Sequence, residues 1–337
     1  MDLGRSHPHG EPMVDVRFQN GVELPSHGLW LDPHKAKPLA FVSHAHSDHL
    51  AAHAEVVLTP ATARLMCARI SGKRVERLLP YGQTLELGEA RLTALSAGHI
   101  CGSSQLYIES EAGSLLYTGD FKLRGCRSTE ACAWRQADTL IMETTFGLPQ
   151  YQLPPTEEVI QGVLTFCRES LESGAVPVLH AYSLGKAQEI VWALLENGLV
   201  PMLPPAAHRL TEICAELQSG FPHGILPLNV ADAAGHVLVV PPGRKSKELL
   251  RSVQPQRTAV LTGWAMNPGA RFQYKCDAAF ALSDHADYPD LIRYVELVQP
   301  RKVLTLHGFA AAFAADLRAR GIEAWALSEN DQLELAL

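Results

Sequence analysis

Four side chains able to hold a divalent cation fall within six residues, His44-Ala45-His46-Ser47-Asp48-His49. They follow an apolar run over residues 39–42, which reads as a buried strand. Imidazole and carboxylate together suit a Zn²⁺-type ion. Alternate side chains of an extended turn point the same way, so His44 and His46 can share one ion. Asp48 and His49 then reach a second ion close by. A histidine-rich polar loop is the plain alternative. What decides against it is the rest of the chain.

Further ligand types come singly, each after a strand-like run. Residues 92–95 lead into Ala97-Gly98-His99, residues 114–118 into Gly119-Asp120, and residues 302–306 into His307-Gly308. The glycines let the backbone turn sharply at the end of each run. Alone, either histidine reads as an ordinary one, and the aspartate as a turn cap. Together with the six-residue cluster they read as one site.

This pattern resembles the metallo-β-lactamase superfamily, with its HxHxDH signature, later His, bridging Asp and final His. The resemblance covers most of the chain, from Asp32 to His307. It implies one metal held by His44, His46 and His99, a second by Asp48, His49 and His307, and Asp120 as the bridge. Zn²⁺ fits these ligands, with Mn²⁺ as the alternative. Asp32, in Trp30-Leu31-Asp32-Pro33, matches an acidic residue that supports such a site by hydrogen bonding.

The signature alone does not choose a substrate. Thr139-Leu140-Ile141-Met142-Glu143-Thr144-Thr145-Phe146-Gly147 resembles the acidic motif that opens a β-CASP insertion. Ala281-Leu282-Ser283-Asp284-His285-Ala286-Asp287 resembles the histidine motif that closes it, and Leu304-Thr305-Leu306-His307-Gly308 resembles the third β-CASP motif. Tyr182-Ser183-Leu184-Gly185-Lys186-Ala187-Gln188-Glu189 is similar to a helix start within that insertion. Within the branch, the chain is most similar to bacterial ligase-associated DNA exonucleases. The resemblance implies a nuclease with two divalent metal ions. Asp48, Glu143 and His285 would serve catalysis, with His285 protonating the leaving 3′ oxygen and Glu143 bonded to it. The bland reading of Glu143 and His285 is a buried polar pair. Ser183 and Lys186 could hold a phosphate at a helix start, or be a cap and a surface lysine. Trp264 could stack a base, or sit in the core.

These residues need a scaffold that brings strand ends together. The expected fold is α/β, an αββα metallo-β-lactamase sandwich with an inserted small α/β β-CASP domain. Its first part spans residues 1–149, the insertion 150–275, and the second part 276–337. Pro60 should open a helix running to about Ile70. Thr156 should cap a helix carrying Glu157 and Glu158 in its first turn, and Ser183 should cap the next. A strand over residues 278–282 should return the chain to the sandwich.

At 337 residues, with 47% hydrophobic and 19% charged, the chain can bury a substantial core. No run reaches the roughly 18 apolar residues of a membrane span, and residues 1–7 hold no apolar signal core, so the expectation is cytoplasmic, with no membrane partner. Seven scattered cysteines with no CxxC pair read as free thiols, and Cys101 as packing. A net charge of −7 argues against a broad basic face. Arg244-Lys245-Ser246-Lys247, with Arg251 and Arg257, is the richest basic stretch; it tracks a phosphate backbone or is a solvated surface. The expected partners are nucleic acid, DNA before RNA, and a DNA ligase. The rivals are an RNA-processing nuclease, a small-molecule hydrolase such as a lactamase or thioesterase, and a non-catalytic scaffold.

Overall fold

The computed structural model describes residues 14–19 and 21–327; the expected absence of a signal core at residues 1–7 lies outside them. The first sheet is built in chain order from Arg17–Phe18 (β1), Val22–Leu24 (β2), Leu29–Leu31 (β3), Leu39–Phe41 (β4), Glu55–Leu58 (β5) and Val75–Leu78 (β6). The second begins with Thr84–Leu87 (β7), Ala90–Ser96 (β8), Ser104–Ser110 (β9), Gly113–Tyr117 (β10) and Thr139–Glu143 (β11). It is completed after a long excursion by Lys302–Leu306 (β18) and Glu323–Ala326 (β19).

Period-two alternation explains why these sheets stack. Leu115, Tyr117, Ile141, Leu304 and Leu306 point to one face and meet Leu24, Leu31, Phe41 and Val57 of the first sheet. Leu116, Leu140, Met142 and Val303 point to the other face. There they bury Leu291, Tyr294, Val295 and Val298 of Tyr288–Val298 (α7), and Phe313 and Leu317 of Ala310–Ala319 (α8). Val56 and Leu58 back the first sheet against Ala63 and Met66 of Pro60–Arg69 (α1), which starts at Pro60 as expected, with Thr59 as its cap. The layers are therefore α, β, β, α.

The excursion folds as a third, all-parallel sheet of six strands, made from Val176–His180 (β12), Pro201–Leu203 (β13), Leu226–Pro227 (β14), Val237–Val240 (β15), Gln256–Leu261 (β16) and Ala278–Phe280 (β17). One face is covered by Thr156–Glu172 (α2), Lys186–Glu196 (α3) and Pro205–Leu217 (α4). The other packs Leu250 and Val253, which follow Arg244–Leu249 (α5). Ala270–Tyr274 (α6) precedes β17.

Three local expectations differ from the structure. The strand at 278–280 pairs with β16, so it closes the inserted sheet rather than rejoining the sandwich. Phe280 anchors it there, edge-on to Phe166 of α2. Thr156 is the first helical residue, with Pro155 at the cap position. Ser183 does not cap α3; Gly185 does, at φ 97°, and its N–H donates to the Gln188 side chain at 2.7 Å. A Cβ on Gly185 would lie 2.7 Å from Ile100, so that position has room only for glycine.

Candidate metal centre and substrate cleft

Every expected ligand leaves the carboxyl end of a strand, and all of those ends meet at one rim. His44, His46 and His49 follow β4, His99 follows β8, Asp120 follows β10 and His307 follows β18. Two glycines make the close approach possible. Gly98 and Gly119 have φ of 74° and 55°, and an added Cβ would lie 2.3 Å from the Lys122 carbonyl and 2.7 Å from Ser43, respectively.

The donor atoms converge. His44 Nε2 and His99 Nε2 lie 3.0 and 3.1 Å from His46 Nδ1. Asp120 Oδ2 lies 3.6 Å from His44 Nε2 and 3.8 Å from His99 Nε2. Four tetrahedral donors around a zinc ion stand about 3.3 Å apart, given zinc–nitrogen distances of about 2.0–2.1 Å. The same Asp120 oxygen is 3.5 Å from His49 Nε2, as a bridging ligand requires.

The outer hydrogen bonds show that the contact between His46 and His99 is not a hydrogen bond. His46 Nε2–H donates to the Leu184 carbonyl at 3.0 Å, and His99 Nδ1–H donates to the Asp284 carbonyl at 2.7 Å. A neutral imidazole has a single N–H. His46 Nδ1 and His99 Nε2 therefore present lone pairs to each other. Burial, reinforced by the charge of His285, pulls His99 down to about 3, and burial also holds His44 well below its ordinary value. Neutral rings with facing lone pairs repel unless a cation lies between them, so the donor set fits a divalent metal.

Asp32 supports this arrangement from beneath. Its carboxylate accepts from the Ser43 amide at 2.7 Å and the Tyr117 hydroxyl at 2.8 Å, and stands 3.1 Å from His49 Nδ1. Burial lowers His49, but Asp120 and Asp32 outweigh it and hold the ring well above its usual range in the metal-free protein. A cation there would displace that proton.

The remaining expected residues are placed less uniformly. Asp48 and His307 line the same cleft but stand at its open edge. The Asp48 carboxylate is 71% exposed and 3.9 Å from His49 Nε2, and the His307 ring centroid is 6.2 Å from that of His49. Glu143 and His285 meet, with His285 Nδ1 2.8 and 3.0 Å from the two carboxylate oxygens. Glu143 also accepts from the Phe121 amide and the Thr145 hydroxyl. Burial opposes charge on His285, but Glu143 prevails and raises the ring to about 9, so it is an imidazolium at neutral pH.

Two substrate-binding expectations change. Lys186 lines the cleft, but it is buried there and ion-paired with Asp284. Trp264 does not line the cleft: it is half-buried and packs ring against ring on Phe146, Tyr151 and Phe309. Ser183 lines the cleft. So does Tyr182, which is 58% exposed and was passed over in the sequence, although an aromatic between a strand end and a helix start was a readable sign. Arg69 also lines the cleft. Cys101 is buried with Leu184, Leu210 and Cys214. The cleft, about 460 Å³, lies between the sandwich and the inserted domain, with walls from both.

Comparison with known proteins agrees with this architecture. Residues 276–327 match the family described as the Zn-dependent metallo-hydrolase RNA specificity domain. Over 325 residues, the chain is 51% identical to a probable DNA ligase of Opitutus terrae, covering 96% of this chain and 32% of that protein. It is 27% identical to the 5′ exonuclease Apollo of Gallus gallus over 280 residues, covering 80% and 58% respectively. A crystal structure of an Enterococcus faecalis protein of unknown function superposes with a TM-score of 0.57 at 16% identity, covering 82% of this chain and 76% of that one. The chain thus spans only about a third of the ligase and under two thirds of the exonuclease. The layered sandwich, its inserted parallel sheet and the strand-end histidines define a metallo-hydrolase. In its fold and in these matches the chain is similar to the β-CASP branch of the metallo-β-lactamase superfamily. Among the described residues, no helix is long and apolar enough to cross a membrane.

Proposed function

We propose that this chain is a metal-dependent phosphodiesterase that digests DNA from single-stranded or frayed ends, in repair alongside a ligase. The observation that carries the reading is the convergence of three imidazole nitrogens and Asp120 beside the Glu143–His285 pair, in one cleft between two domains. His44, His46 and His99 would hold one cation, and Asp48, His49 and His307 a second, with Asp120 shared. Zn²⁺ is the natural occupant of such a donor set. When bound, the cations supply activated water and neutralise phosphate charge.

The chain's own residues perform the rest. Leu184 and Asp284 fix the His46 and His99 tautomers through their carbonyls. Glu143 orients His285 through Nδ1, leaving Nε2–H to protonate the leaving 3′ oxygen. Tyr182 offers a ring to a base at the cleft mouth. Relatives named for a DNA ligase and an exonuclease support DNA as substrate. The second reading, an RNA-processing nuclease, is favoured by the RNA-specificity family match, which covers both His285 and His307.

Metal-supplemented digestion of matched end-labelled single-stranded DNA and RNA tests this, with Asp48→Ala plus His49→Ala as control. Stepwise shortening of DNA that the control lacks is expected. Preferential cutting of RNA would move the assignment to RNA processing. No cutting of either by metal-loaded protein would overturn the nuclease reading.

A further inference from the structure

A second cavity, of about 640 Å³, opens in the inserted domain beside the metal cleft. The two share a partition built from two chain segments. At the end of β12, His180 faces the second cavity, while Tyr182 and Ser183, just beyond it, face the cleft. After β15, Pro241 faces the cleft while Pro242 and Gly243 face the second cavity. This partition lies at the carboxyl ends of parallel strands. The chain runs from β12 to β13 on one side of β12, and from β15 to β16 across to its other side. Open parallel sheets bind ligands at such a reversal.

The lining has the chemistry of an anion site. Arg244, Lys247 and Arg251 face it. Glu248 is the opposing carboxylate, and it is taken by Arg244 at 2.7 Å. No ion pair to Lys247 or Arg251 is found among the described residues. His180 is only 7% exposed, and its Nδ1 is buried without a hydrogen-bond partner. Buried polar atoms are rarely left so, and an unseen water or ion is a standard reason. The protein carries a net charge of −7, so an unpaired basic pair over a buried imidazole is a local exception to its acidic surface.

We propose that this cavity takes a backbone phosphate of the same strand that enters the metal cleft, with Lys247 and Arg251 as its donors beside the His180 ring. The proposal rests on the nuclease reading for the identity of the strand. It makes the inserted domain a second point of grip, crossing the partition at Pro241 and Pro242, that sets how far a strand must extend to be held.

The test is fluorescence anisotropy with labelled oligothymidylate, and oligouridylate in parallel, on the metal-loaded full chain carrying His285→Ala to suppress cutting. Adding Lys247→Ala and Arg251→Ala is expected to weaken binding about tenfold, and to reduce the slope of log affinity against log salt by about 0.7, the value for one phosphate charge on a single strand. The charge-preserving pair Lys247→Arg and Arg251→Lys should restore both. One neutral methylphosphonate linkage, walked along the strand, should cost affinity at a single position, and only when the basic pair is present. An unchanged affinity and slope, or a loss that the charge-preserving pair does not restore, would overturn the proposal. Digestion by the otherwise unaltered protein is read separately. A chain that grips through this cavity yet cuts nothing sinks the nuclease reading alone; one that cuts but ignores the basic pair sinks the cavity alone.

Discussion

His46 Nδ1 and His99 Nε2 face each other at 3.1 Å, while the opposite nitrogen of each ring is committed to a main-chain carbonyl. Two lone pairs at that distance destabilise the metal-free protein. Binding of Zn²⁺ is therefore expected to raise the thermal midpoint, by mass action on the folded state. It should also release a proton from the His49 imidazolium. Calorimetric titration in buffers of different ionisation enthalpy measures that proton. A chelator that leaves the melting temperature unchanged would refute the expectation.

Glu143 and His285 set an alkaline limit on activity. A general acid must be protonated, so turnover should fall as pH rises through the His285 value of about 9. Glu143→Gln removes the charge that outweighs burial, so the descending limb should move to lower pH. Metal at the group formed by His44, His46, His99 and Asp120 should be retained, since neither residue belongs to that group. A pH–rate profile superposable on that of the parent would count against His285 as the acid.

Lys186 and Asp284 form a buried ion pair across the two domains. Lys186→Met leaves the buried Asp284 carboxylate with only the longer contact to His285 Nε2, at 3.7 Å. Such losses typically cost about 3–5 kcal/mol. Asp284 also supplies the carbonyl that holds His99, so metal affinity should fall as well. Denaturant unfolding and metal titration of the variant measure the two effects. Intact stability would mean that water reaches this pair.

Tyr182 stands exposed at the cleft mouth, where Trp264 was expected to act. Tyr182→Ala should weaken single-strand binding by about 1–3 kcal/mol, the worth of one stacked base. Tyr182→Phe should preserve it. Trp264→Ala should instead lower stability, because it empties space among Phe146, Tyr151 and Phe309. Equal binding by all three variants would remove Tyr182 from the substrate path.

Much of the site was legible in the order of residues, because metal ligation restricts residue type and strand ends restrict position. His44, His46, His99 and Asp120 each follow an apolar run, and Gly98 and Gly119 mark where the backbone must turn with no side chain in the way. The layered sandwich was expected from the family resemblance that these motifs carry, not from any local periodicity. Pairing across space was not encoded locally. The run at 278–280 reads equally well as a strand of either sheet, and only Phe280 meeting Phe166 assigns it to the insertion. Lys186 looks like a surface lysine until Asp284, nearly a hundred positions away, arrives beside it. Tyr182 and Trp264 are both aromatics near turns, and burial alone separates them. The sequence by itself determined which side chains could ligate, and at which strand ends. Tertiary packing decided which nitrogens face one another, which charges are consumed inside, and which rings remain for a ligand, because those depend on contacts between segments that share no local pattern.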